Sequence, residues 1–104
     1  MEDNQACHEM KHGEILNSSK TLYPLYKATI YGSRVDSAKL SKRLSCAIKH
    51  LPIRVEFSYE YSTLKAIEKG IRKDPTLVLN GDIFIEGLIE AEEITKKFKR
   101  IIYE

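Results

Sequence analysis

The strongest constraint on the fold is the pair Asn80-Gly81, set between the apolar runs Thr76-Leu77-Val78-Leu79 and Ile83-Phe84-Ile85. Both residues of the pair tolerate positive φ, as a two-residue hairpin turn requires, so the segment predicts two antiparallel strands. The first run is continuous rather than alternating, the pattern of a central strand covered on both sides. The chain has 104 residues, enough for one domain. It is 42% hydrophobic and 31% charged, a balance that excludes a disordered chain. No run approaches the roughly 18 apolar residues of a membrane span.

Further elements follow from periodicity. Leu25 to Tyr31 is rich in β-branched and aromatic residues and reads as a strand. Gly32-Ser33 ends it, and Ser33 followed by Asp36 resembles a capping box. Leu40, Leu44, Ala47, Ile48 and Leu51 mark one face of a helix from about Arg34 to His50, which Pro52 cannot extend. Ile53 to Tyr59 alternates with period two and reads as a strand. Thr63 to Lys69 predicts a short helix whose buried face is Leu64, Ile67 and Ile71, closed by Gly70. A last helix, from about Glu90 to Ile102, carries Ile94, Phe98, Ile101 and Ile102 as its apolar stripe. Its acids lie early and its lysines late, as the helix dipole favours. Residues 1–21 are polar, acidic and without period, and are expected to form a flexible tail ahead of a domain at residues 22–104. The expected fold class is α/β, ordered β-α-β-α-β-β-α, with a four-stranded mixed sheet and helices on both faces.

Gly70-Ile71-Arg72-Lys73-Asp74-Pro75-Thr76-Leu77-Val78-Leu79-Asn80-Gly81 resembles the thioredoxin and glutaredoxin segment that runs from a glycine through a proline and an apolar strand to an Asn/Asp-Gly turn. Ile30 to Leu44, a strand, a glycine turn and a Lys-rich helix, is similar to the small thioredoxin-like proteins of archaea and bacteria. The resemblance spans Tyr26 to Tyr103. It implies a minimal thioredoxin-like fold, a cis bond before Pro75, and a groove bounded by Arg34, Ser37, Tyr59, Asp74 and Pro75. The family's first helix opens on Cys-x-x-Cys, whereas this chain has Arg34-Val35-Asp36-Ser37. Dithiol exchange needs a thiolate that attacks a disulfide sulfur, so the family's catalytic residues are expected to carry over to no position of this chain. The expected protein is a redox-degenerate binding module without a cofactor rather than an enzyme.

Two other sets of residues carry chemistry. On a helix Cys46 has Lys42, Arg43, Lys49 and His50 as neighbours three and four residues away, a setting that lowers a thiol pKa and offers a thiol-based redox protein or sensor as the alternative. The helix dipole opposes that shift. Lys39, Lys42, Arg43 and Lys49 also make a basic face that suits an anionic partner. Nucleic acid is disfavoured, because the net charge is only +2 and no aromatics interleave the basic residues. Tyr59 and Tyr61 fall where their strand ends and are candidates to line a groove. Cys7, His8 and His12 supply metal-ligand atoms but not the four that a structural zinc site needs, so no metal is expected. With two cysteines and no signal-peptide pattern, the sequence predicts reduced thiols in the cytoplasm. The expected partner is a protein or peptide, with a structural subunit or a dimer as further possibilities and no membrane contact.

Overall fold

The structure, a computed structural model, describes residues 7–104. The elements run β1 (Ile15–Leu16), β2 (Leu25–Tyr31), α1 (Arg34–Ile48), β3 (Arg54–Glu60), α2 (Thr63–Lys69), β4 (Thr76–Leu79), β5 (Asp82–Glu86) and α3 (Ala91–Tyr103). The strands form one mixed sheet in the order β1-β3-β2-β4-β5. β2 and β3 pair in parallel through the α1 crossover, and every other pairing is antiparallel.

Strand alternation decides which face is buried. Ala28, Ile30, Val55, Phe57, Leu77, Leu79 and Ile85 meet Leu40, Leu44 and Ile48 of α1 and Ile94 and Phe98 of α3 in one core. Phe98 also packs edge-to-face on Phe84, with ring centroids 5.1 Å apart. The opposite face of β2 and β3 is polar, with Thr29 Oγ1 lying 2.8 Å from Ser58 Oγ across the strands. At the hairpin, Asn80 and Gly81 take φ of 50° and 90°. Asn80 also anchors the turn to β2, since Lys27 N–H donates to Asn80 Oδ1 and Asn80 N–H donates to the Lys27 carbonyl, both at 2.8 Å.

Three sequence expectations change. The sheet has five strands rather than four, because Ile15 and Leu16 pair with Glu56 and Val55 at its edge. A two-residue strand leaves no periodicity to read. Residues 7–17, expected within a tail, lie against the domain. Met10 is 1% exposed in the core, and its N–H donates to Ser41 Oγ at 2.8 Å. Ser45 Oγ donates to the His8 carbonyl at 2.8 Å, and Gly13 N–H donates to the Phe57 carbonyl at 2.6 Å. The expectation for residues 1–6 lies outside the described residues. Finally, α2 does not bury the face assigned to it. Leu64 and Ile67 are each 65% exposed. α2 lies on the polar side of the sheet, where Lys65 meets Glu60 at 3.7 Å and Lys69 donates to the Gly81 carbonyl. Among the described residues no helix is long and apolar enough to cross a membrane.

Candidate functional site

The start of α1 is built by a close backbone approach. Ser33 caps the helix, its hydroxyl accepting from Asp36 N–H at 3.2 Å. Ser33 N–H in turn donates to Asp74 Oδ1 at 3.0 Å. Asp74 precedes Pro75 through a cis peptide bond. Gly32, at φ 145°, lets the two segments meet, since a Cβ there would collide with the Asp74 carboxylate.

Next to this junction is an open groove of about 330 Å³, between the α1 start and α2. Tyr61, Ala66, Ile67 and Ile71 give it an apolar wall, while Ser33, Arg72, Lys73 and Asp74 form the polar side. Of the five residues expected around it, only Asp74 lines it. Pro75 is buried behind the rim. Ser37 is fully buried, and its hydroxyl has no hydrogen-bond partner among the described residues. Arg34 and Tyr59 belong to a second depression, of about 540 Å³, whose other walls are Glu9, Met10, Lys11, His12 and Tyr61. Tyr61 alone lines both.

Arg34, Tyr61 and Tyr59 organise the second depression. The Arg34 guanidinium lies over the Tyr61 ring, 4.4 Å from its centroid. The rings of Tyr59 and Tyr61 are near-parallel with centroids 5.9 Å apart. The Tyr59 hydroxyl donates to the Met10 carbonyl and sits 2.7 Å from Ser41 Oγ. Burial pushes the Tyr59 phenol above its ordinary pKa of 10.0, with the Ser41 contact working against that shift. Tyr59 N–H donates to His12 Nδ1 at 3.3 Å, which puts the proton of a neutral His12 on Nε2. The Glu14 carboxylate is held below its ordinary value, first by Lys11 N–H, which donates to it at 2.8 Å, and then by His8.

The sulfurs lie elsewhere. Cys46 is not a free thiol; it forms a disulfide with Cys7, with Cα atoms 5.1 Å apart across 39 residues of sequence. Both cysteines are half-buried. The sequence expectation failed because the partner fell in the segment read as a tail. One signal was present: Ser37, Ser41 and Ser45 recur every four residues on α1, and all three are buried. Ser41 and Ser45 bond the backbone of residues 8–10, so the polar stripe marks a docked main chain. The disulfide lies 12 residues along α1 from Arg34, or about 18 Å at the rise of an α-helix. Beside it, Lys49 Nζ is 3.8 Å from Cys7 Sγ. The basic face is thereby divided in role. Arg43 donates to the Ile89 carbonyl at 3.0 Å and meets Glu90 at 3.4 Å, tying α1 to the start of α3. Lys39 and Lys42 remain exposed. Cys7, His8 and His12 do not gather as ligands: Cys7 is disulfide-bonded, His8 faces Glu14 and His12 accepts from Tyr59.

No family model matches the chain, and no curated protein does. Among solved structures it is similar to the crystal structure of thioredoxin from Aeropyrum pernix, with a TM-score of 0.53 and 16% sequence identity. The match covers 88% of this chain and 96% of that one. At that identity the likeness is one of architecture, and the chain has a thioredoxin-like fold.

Proposed function

We propose that the chain is a binding protein that takes an extended peptide in the groove between the α1 start and α2, with no thiol chemistry at that place. One observation carries this reading: α2 leaves Ile67, at 65% exposure, on the wall of a groove beside Ala66 and Ile71. Apolar surface left open around a concavity favours a ligand that covers it. Residues 71–74 lie outside the sheet and line the same groove, and main-chain pairing with such a segment is a means by which an extended peptide gains affinity. The sequence Arg34-Val35-Asp36-Ser37 at the start of α1 supports the absence of exchange chemistry there. The test is to pan a random peptide library displayed on phage against the full chain and to map selected peptides by amide shift perturbation. Shifts at Ser33, Tyr61, Ile67 and Asp74 that vanish in Ile67→Glu are expected. An empty selection, or shifts confined to other surfaces, would overturn the reading.

A second reading, thiol–disulfide exchange through Cys7 and Cys46, is favoured by the Lys49 ammonium beside Cys7 Sγ. That charge stabilises the thiolate released when an external dithiol attacks Cys46 Sγ. The balanced step converts this disulfide and two external thiols into two protein thiols and an external disulfide. Catalysed reduction of insulin by the wild-type chain, absent in Cys7→Ser, would favour it over the first reading.

A further inference from the structure

We infer that the peptide accepted by the groove is acidic, and that it continues past Tyr61 to place a carboxylate on Arg34. The inference rests on the groove reading above and names the class of its ligand. The groove and the second depression adjoin at Tyr61, which lines both, so an extended ligand that crosses Tyr61 reaches from one to the other. Their linings hold four permanent cations, Arg72 and Lys73 in the groove and Lys11 and Arg34 in the depression. Only two carboxylates oppose them, Asp74 and Glu9, and Asp74 already accepts from Ser33 N–H.

Arg34 is prepared for this role. Its guanidinium lies over the Tyr61 ring, and no carboxylate among the described residues pairs with it. The acid nearest in sequence, Asp36, is turned to Ser33, whose hydroxyl lies 3.4 Å from its Oδ2. A planar guanidinium with an open edge presents parallel N–H donors that match a carboxylate in bidentate fashion. His12 adds a donor, because Tyr59 N–H occupies its Nδ1 and leaves the proton on Nε2. Tyr61 already has Arg34 on its ring and Tyr59 stacked beside it, so a ligand gains here from charge rather than from stacking. A phosphorylated side chain offers related chemistry, but the modest charge excess, four cations against two carboxylates, favours a carboxylate.

The experiment compares peptides selected from a random phage library on the full chain with those selected on Arg34→Gln, an exposed position whose substitution spares the core. Asp and Glu enriched among the wild-type selections, and affinity for Arg34→Gln lower by roughly 10-fold, are expected. That enrichment should also make binding fall as salt rises from about 0.05 to 0.5 M, where exposed charges are screened. Selected peptides that shift groove amides yet show no acidic enrichment, or bind Arg34→Gln equally well, would overturn the inference and leave the groove reading intact. Peptides that bind without touching the groove would overturn both.

Discussion

Tyr59 shows how one residue joins the separate parts of the site. Its ring packs beside Tyr61, its N–H fixes the His12 tautomer, and its hydroxyl holds the Met10 carbonyl. Burial favours the neutral phenol, so folding retains the Tyr59 proton. The resulting stabilisation is complete below pH 10.0 and is lost as pH rises through the elevated folded value. The ultraviolet titration of wild type minus that of Tyr59→Phe should have its midpoint above 10.0; a midpoint at or below that value contradicts the buried environment. Gly32 is a second such residue. Gly32→Ala should lower stability by about 1–3 kcal/mol, because the new Cβ strains the backbone and displaces Asp74 from Ser33. Chemical denaturation measures that loss, and an unchanged midpoint would contradict the close approach. Gly32 was legible from sequence only as a turn. Its collision partner lies 42 residues away, and no local pattern reveals such a contact.

At the level of elements, the sequence resolved what repeats and missed what does not. The period-two run at β3, the apolar stripes of α1 and α3 and the Asn80-Gly81 turn all carry periodicity or steric signals, and these elements form as expected, although Ile101 of the α3 stripe is exposed. β1 and the docked segment before it carry neither. They are held by main-chain bonds to Ser41, Ser45 and Phe57, by Met10 in the core and by the disulfide. The apolar residues of α2 misled in the other direction, since Leu64 and Ile67 have helical spacing yet face solvent. A disulfide closing a loop of about 40 residues stabilises by roughly 4 kcal/mol in the chain-entropy account. Reduction by a dithiol removes that global contribution and also releases the docked segment from its tether, so amide exchange at residues 8–14 should speed more than in the β2–β4 core. Equal acceleration everywhere would mean that the bond supports the whole domain and not this segment alone.

For the whole molecule, the division between the two sheet faces sets where function lies. One face is sealed by α1 and α3 around a continuous apolar core. The other is polar over β2 and β3, and α2, on that side, keeps Leu64 and Ile67 exposed. The groove opens between α2 and the α1 start, while the disulfide lies near the far end of α1. The fold class was readable from element order, whereas the sharing of Tyr61 by two depressions depends on how distant segments meet. The same separation lets the binding account be tested apart from sulfur chemistry. The decisive measurement is the calorimetric affinity of one groove-selected peptide for wild type, Ile67→Glu and a Cys7→Ser/Cys46→Ser double variant. The account predicts that Ile67→Glu weakens binding by roughly 10-fold or more, since a buried apolar contact is replaced by an unpaired charge, while the double variant binds as the wild type does. Binding that survives Ile67→Glu but disappears with the two cysteines would contradict it.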